Sequence, residues 1–363
     1  IPTWSNLSGK FTLDDFSPTC IAMNITTEEY SIPEPYYTSL ILFFASLSAF
    51  TILGNTLVLA AVIHSHHLMH GVTHVYICSL SVADILIGIL VMPSTTMKVL
   101  HGPSIYGRDV CNFLNAVDIA CVTVSITTLC AIAIDRYIAV TRPLQYRTVV
   151  TWTRACGVVV LLWSLSISIS FLPIFLGWNQ STFPEHQLCY DDPECCNSFF
   201  SKEYLLTITI IPFYTPSIIM ILGVLNMQSN GRSKYCKENQ NKGMNTSEHQ
   251  ALKTLSVVMG IFLFCWFPFH IISSLQIFCP TCTRYILFDI FLLLGYLNSA
   301  CNPVLYSRSP ELMAAYKRLL RLDGRNERVG NRNMMTRIKR TLLCKNIHSE
   351  KECRVTVINK EGN

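Results

Sequence analysis

Apolar residues gather into seven long runs, at about residues 37–63, 73–97, 109–133, 155–177, 204–226, 254–278 and 284–306, with more polar intervals between them. A run of about 20 apolar residues matches the hydrocarbon thickness of a bilayer, where every backbone N–H and C=O must be paired within the segment. The pattern therefore predicts an all-α membrane protein, a seven-transmembrane helix bundle over residues 37–308. After Ser309-Pro310, the run from Glu311 to Leu322 alternates Leu, Met, Ala and Tyr with Lys and Arg at helical spacing. That predicts an amphipathic eighth helix, 309–322, lying on the inner leaflet. Residues 1–36 are polar and punctuated by proline, and 323–363 are polar, basic and aperiodic, as expected of a disordered tail.

Composition agrees: half of the 363 residues are hydrophobic and only 14% are charged, which excludes a large soluble enzyme. The distribution of charge adds an orientation. Arg142, Arg147 and Arg154 crowd one loop, Arg232, Lys234, Lys237 and Lys242 lie in another, and Lys317, Arg318, Arg321 and Arg325 follow the last span. By the bias of basic residues toward the cytoplasm, the amino terminus is expected outside and the carboxyl terminus inside, with the first span as the insertion signal. The net charge of +5 is then a feature of membrane topology and not a nucleic-acid footprint. Asp14, Asp15, Glu28, Glu29 and Glu34 before the first span, and Glu185, Asp191, Asp192 and Glu194 before the fifth, give the outer side an acidic surface that concentrates cations. Asn6, Asn24 and Asn179 stand in glycosylation sequons on that side.

The third run carries the most informative polar residues. It reads as one helix from Cys111 to Pro143, with Asp118 in its apolar part and Asp135-Arg136-Tyr137 at the far end. Eighteen residues from Asp118 to Arg136 span roughly 27 Å, so the two charges sit near opposite membrane faces. A carboxylate on a spanning helix is costly unless partnered, and Asp118 is expected to meet either a cation from outside or a neighbouring basic side chain; the apolar spans show almost none of the latter. Asp84 in the second span needs neighbours as well. Ser125, Asn298, Ser299 and Asn302 supply hydroxyl and amide oxygens suited to a small hard cation such as sodium or a proton, or to a purely structural polar network.

Pro212 and Pro216 interrupt the fifth span and Pro268 the sixth, where freed carbonyls allow kinks. Trp266, Phe269 and His270 share one helix face, either as lipid-facing aromatics or as the wall of a wet cavity that satisfies His270. On the seventh span Asp289 lies two turns before Tyr296 on one face, as a second ligand anchor or a solvated loop-edge carboxylate. The outer side also holds Cys20, Cys111, Cys189, Cys195, Cys196 and the Cys279-Pro-Thr-Cys282 pair. Extracellular cysteines favour disulfides over metal, and Cys279 with Cys282 reads as a local loop disulfide because no second pair completes a zinc site. No metal site is expected.

Asn55, Asp84, Asp135-Arg136-Tyr137, Trp163, Pro216, Trp266 with Pro268, and Asn302-Pro303 with Tyr306 occur in order on the seven spans. In these residues the chain resembles the rhodopsin-like family of G protein-coupled receptors over about residues 37–322. Its nearest likeness is to the aminergic branch, above all trace amine-associated receptors of the olfactory type, with similarity to beta-adrenergic and serotonin receptors. The resemblance implies that Asp118 binds a ligand ammonium and Tyr296 hydrogen-bonds it, within a site completed by Trp266, Phe269, His270, Thr209, Val122 and Asp289. It implies Cys111–Cys196 and Cys189–Cys195 disulfides, or Cys20 with Cys189 as in trace amine-associated receptors. Ile126, Pro216 and Phe262 match the family's packing switch. Asp135, Arg136, Tyr137, Tyr306 and Glu248 match the end that meets a heterotrimeric G protein, with Arg136 paired to Asp135 and within reach of Glu248 at rest. Arrestin and receptor kinases are further implied partners, beside membrane lipid, and the plasma membrane is the implied location.

The departures narrow the ligand. Ile208, Thr209 and Pro212 stand where catecholamine receptors carry serines, His270 replaces a second phenylalanine, and Leu293 replaces a tryptophan. Met313, Ala314 and Ala315 break the final-span signature of jawed-vertebrate trace amine receptors, and Val224 replaces the fifth-span tyrosine that meets Arg136. A second ammonium at Asp289, about 8 to 12 Å from the first, favours a diamine or polyamine. An internal monoamine transmitter receptor and a peptide receptor of the same fold are the alternatives. An opsin is excluded because Tyr296 stands where the retinal lysine belongs, and a transporter is disfavoured by the lack of an internal repeat. A membrane enzyme would need clustered catalytic groups; the histidines at 64, 66, 67 and 70 lie in one short turn.

Overall fold

The computed structural model describes residues 34–101, 106–182, 196, 200–223, 225–226, 246–278 and 285–320. Among these the regular elements are all helices, joined by short turns, with one isolated bridge between Gln180 and Phe200. The long helices are α1 (Glu34–His64), α2 (72–101), α3 (Arg108–Thr141), α4 (Trp152–Phe175), α5 (Lys202–Gly223), α6 (Thr246–Phe278) and α7 (Tyr285–Tyr306). Six of them are long and apolar enough to cross a bilayer over Thr38–His64, Val72–Lys98, Arg108–Thr141, Trp152–Phe175, Lys202–Gly223 and Ser256–Leu275; α7 adds a seventh segment of 22 residues. The amphipathic run forms a short α8, Pro310–Leu319, with Leu312 buried and Glu311, Lys317 and Arg318 exposed.

The bundle is built outward from α2 and α3. In the most apolar stretch of α3, 67% of residues are buried inside the protein, and in that of α2, 61%, against 17% in α4, which presents Val160, Leu161, Leu165 and Leu172 to lipid. Exposed apolar side chains are what a lipid environment requires, since association there rests on packing and polar contacts and not on escape from water. Small residues allow that packing. A Cβ on Gly54 would sit 2.8 Å from the Pro303 ring, and one on Gly295 would sit 2.7 Å from the Trp266 ring. These glycines set how closely α1 meets α7 and α7 meets α6.

Helix ends and interruptions depart from the hydropathy reading in informative ways. The apolar runs mark only the hydrocarbon-embedded part of each helix, so α6 starts at Thr246, well before its apolar limit, whereas α3 ends at Thr141, close to the Pro143 limit read from the sequence. The Pro212 and Pro216 interruption of α5 becomes a wide turn over Ile210–Tyr214, with the Thr215 hydroxyl donating to the Ile210 carbonyl at 3.0 Å. A second wide turn at Ile87–Val91 precedes Pro93 in α2, a kink that hydropathy does not reveal.

Cys111 at the start of α3 is joined to Cys196 by a disulfide. Nearby, Gly177 adopts a φ of 73° at the end of α4, and the Ser201 amide donates to the Asn179 carbonyl at 2.7 Å. That turn buries Asn179 to 7% exposure. Asn6, Asn24, Cys20, Cys189, Cys195, Cys279, Cys282, Val224, most of the 1–36 segment and the 323–363 tail lie outside the described residues.

Gly54→Ala is expected to lower the melting temperature of the detergent-solubilised protein by several degrees, because the proline ring cannot yield and overpacking costs about 1 to 3 kcal/mol. Gly157→Ala on α4, where an added Cβ meets nothing within 4 Å, should be neutral or slightly stabilising in the same melt.

Candidate functional site

Asp118 lies two turns along α3 from the Cys111 disulfide, facing α7. Tyr296 donates its hydroxyl to Asp118 Oδ2 at 2.6 Å, while Oδ1 is buried without a hydrogen-bond partner. Tyr296 packs edge-on against Trp266 with centroids 6.0 Å apart, the approach that Gly295 permits. Trp266 in turn meets Phe269 at 5.9 Å and His270 at 6.1 Å. The Trp266, Phe269 and His270 stripe thus turns toward Tyr296 and Asp118 and not toward lipid. A half-satisfied carboxylate beside ring faces is a poor resting place for a negative charge and a good receptor for a compact cation with N–H donors.

His270 stacks on Phe213 at 3.6 Å, and both its ring nitrogens are buried without a partner. Phe213 is fully buried and also touches Phe262 at 6.4 Å, so it links the aromatic set to the middle of the bundle. Hydropathy gave no reason to single Phe213 out; its spacing one residue after Pro212 is the only sequence signal. Thr209 is buried at the entry to the wide turn of α5, Ile126, Pro216 and Phe262 are buried, and Val122 is half-buried one turn beyond Asp118. Asp289 lies on α7, but its side chain is outside the described residues.

One basic group was overlooked. The α2 helix continues past its apolar run through Lys98, whose Nζ donates to Asn115 Oδ1 at 3.1 Å, and Asn115 precedes Asp118 by about one turn of α3. The expectation that the spans bring almost no basic side chain near Asp118 is corrected accordingly, since a lysine ending a helix is invisible to an apolar-window reading.

Deeper in the bundle Asn302 Nδ2 donates to Asp84 Oδ2 at 2.8 Å. Asp84 Oδ1, Ser81 Oγ, Ser125 Oγ, Asn298 Oδ1 and Asn302 Oδ1 are all buried without a partner. Buried Ser299 accepts at its carbonyl from Asn55 Nδ2 at 3.1 Å. One carboxylate among neutral oxygens fits a hard, singly charged cation or a bound proton, and no group of three or more His, Cys, Asp and Glu side chains suited to other metals occurs among the described residues.

At the opposite end of α3, Arg136 Nη2 donates to Asp135 Oδ2 at 2.6 Å and to Thr73 Oγ1 at 2.6 Å. Tyr146 donates to Asp135 Oδ1 at 2.9 Å and accepts from Arg136 at 3.0 Å. Burial pushes the Tyr146 hydroxyl up to about 12, opposed by the Arg136 charge and reinforced by Asp135, so it stays protonated and able to donate at neutral pH. Thr73 and Tyr146 were not anticipated, because they come from separate segments that only folding brings to Asp135. Tyr137 is half-buried, Tyr306 is buried, and the Glu248 side chain lies outside the described residues. A cleft of about 450 Å³ at the α3–α4 edge, lined by Arg108, Asp109, Asn112 and Gln180, contains none of the anticipated site residues.

The family described as "7 transmembrane receptor (rhodopsin family)" matches residues 54–306. The chain is also similar to the D(1A) dopamine receptor of Didelphis virginiana, 33% identical over 322 residues that cover 77% of this chain and 72% of that receptor. It is 34% identical over 302 residues to the D(1C) dopamine receptor of Xenopus laevis, covering 74% of this chain and 65% of that one. With the D(5)-like dopamine receptor of Takifugu rubripes the identity is 32% over 300 residues, covering 74% and 64%. The chain thus spans about two thirds of the length of these relatives.

Tyr296→Phe is expected to leave Asp118 without its 2.6 Å donor and to destabilise the solubilised protein by about 1 to 3 kcal/mol, read as a lower melting temperature. An unchanged melt would mean that this hydroxyl does not support the carboxylate.

Proposed function

The chain belongs to the rhodopsin family of seven-transmembrane receptors, a multi-pass membrane protein and not an enzyme, and from that premise we propose that it is a receptor for a protonated biogenic amine coupled to a heterotrimeric G protein of the stimulatory class. The observation that carries this reading is Asp118, with Oδ2 on Tyr296, Oδ1 unpartnered, and the Tyr296 ring against Trp266, which in turn meets Phe269. An ammonium there gains about 1 to 3 kcal/mol from a charged hydrogen bond and about 0.5 to 2 from each aromatic face. Those terms support micromolar binding at best, and apolar burial supplies the rest.

The other end of the ligand is read from α5. Ile208 and Pro212 offer no hydroxyl and only Thr209 does, so a catechol loses most of its ring contacts and a trace amine with fewer ring hydroxyls fits better. That reading places the chain with chemosensory receptors. The second reading, an internal monoamine transmitter receptor, is favoured by relatives that are named as dopamine receptors.

The amino terminus is outside and the carboxyl terminus inside, in the plasma membrane. The Cys111–Cys196 disulfide suits an oxidising outer face, and Arg142, Arg147 and Arg154 gather near the opposite end of α3. The 1–36 segment is then the glycosylated outer arm, α8 (predicted as 309–322) lies on the inner leaflet, and 323–363 is the cytoplasmic tail available to arrestin and receptor kinases.

Transmission needs a ligand with higher affinity for the active arrangement, not merely high affinity. Phe213, held between His270 and Phe262, couples the aromatic site to Ile126, Pro216 and Phe262. At the inner end Thr73 and Tyr146 hold Arg136 against Asp135, and release of that clamp with outward movement of α6 about Pro268 opens the G protein cleft, where Tyr306 and Glu248 contribute. Asp84, Ser125, Asn298, Ser299 and Asn302 would hold a sodium ion, whose charge satisfies the Asp84 carboxylate in the resting state.

In cells expressing the full chain, Asp118→Asn is expected to cut amine potency at least 100-fold in a second-messenger assay at unchanged surface level, and retained potency would sink the amine reading. If Asp289 takes a second ammonium, Asp289→Asn should weaken diamines such as cadaverine about 10-fold relative to monoamines. Equal shifts would remove the diamine form of the ligand.

A further inference from the structure

Building on the amine-receptor reading, we propose that Lys98, positioned by Asn115, forms an anion-accepting subsite beside Asp118, so that the ligand accepted there is a zwitterion: an amine that also carries a carboxylate, as an amino acid does. Lys98 ends the membrane-spanning part of α2, and its Nζ donates to Asn115 Oδ1 at 3.1 Å. The Asn115 amide is oriented from its other side as well, with Nδ2 reaching Cys111 Sγ at 3.6 Å. This fixes the carbonyl oxygen toward the lysine. Asn115 and Asp118 are three residues apart on one helix, which places them about one turn apart, a rise of roughly 4.5 Å, on adjoining stripes of its surface.

The Lys98 charge therefore stands near enough to act on Asp118. It does not satisfy the carboxylate, because Asp118 Oδ1 remains buried without a hydrogen-bond partner. A cation and an anion held apart by a fixed amide complement a small molecule with the opposite charges in the opposite order. Its ammonium would meet Asp118, and its carboxylate would meet the Lys98 ammonium through a charge-assisted bond. Burying both ligand charges is tolerable because each finds its opposite. A plain amine has no group for Lys98 and brings a like charge close to it, so the same lysine selects by attraction and by repulsion together.

The test uses matched pairs that differ only by the carboxylate: tyrosine and tyramine, tryptophan and tryptamine, histidine and histamine, lysine and cadaverine. Each is titrated on cells expressing the full chain or its Lys98→Met, Lys98→Arg or Asp118→Asn variants, with second-messenger output normalised to surface level. At least one amino acid should be 10-fold or more stronger than its decarboxylated partner on the wild type. Lys98→Met should erase or invert that ratio, and Lys98→Arg should keep it. Amines that equal or exceed the acids in every pair, silence from all the acids, or a Lys98→Met shift common to both members would overturn the zwitterion proposal. Loss of both classes of response in Asp118→Asn leaves the amine reading standing in those cases; responses that survive Asp118→Asn remove that reading itself.

Discussion

An ionised carboxylate inside a bilayer-spanning helix must find a counter-charge or a set of donors, and three carboxylates on α2 and α3 set the terms for the rest of this bundle. Asp135 is fully answered from within the protein, by Arg136, Thr73 and Tyr146. Asp84 is answered in part, by Asn302, among oxygens that have no donor of their own. Asp118 is likewise answered in part, by the Tyr296 hydroxyl with the Lys98 charge nearby, and its Oδ1 has no hydrogen-bond partner. The contrast between one closed carboxylate and two half-open ones separates a latch from an ion or proton site and a ligand site using the same chemical group.

Much of this was legible in the chain. Seven apolar runs gave the helices, since a backbone in hydrocarbon has so few alternatives, and the rarity of charge in those runs made Asp84, Asp118 and Asp135 conspicuous. The Asp118–Tyr296 contact, across 178 residues of chain, followed only from the resemblance, because periodicity within one helix says nothing about which helix it faces. Trp266 was on the right face for the right reason, but the partner that lets it close on α7 is Gly295, a residue with no side chain to attract notice.

What escaped was of three physical kinds. Helix continuation beyond the hydrocarbon, as at Lys98, escapes a method that detects apolarity. Contacts between segments far apart in the chain, as when Thr73 of α2 and Tyr146 of the 143–149 connection meet at Asp135, depend on a loop path that carries no periodicity. Irregular turns, as at Ile87–Val91, have a cause in Pro93 but a form that sequence does not dictate, because a proline is accommodated equally by a kink or by a widened turn.

Two polar positions near the mouth of the bundle, Asn179 and Asn115, bear on one another. Asn179 is drawn inward by the same segment that, through Ser201, starts α5, while Cys196 is tied to the first turn of α3, whose next turn carries Asn115. The covalent tie fixes that end of α3 and therefore the position of Asn115 relative to Lys98. A hydrogen bond between two long or flexible side chains loses much of its value to conformational entropy unless one partner is already held, and here the amide is held by its own helix and the sulfur one turn away. The disulfide therefore contributes to more than stability: it preorganises the polar rim of the site around Asp118, so that recognition of a charged ligand does not have to supply that ordering at the moment of binding.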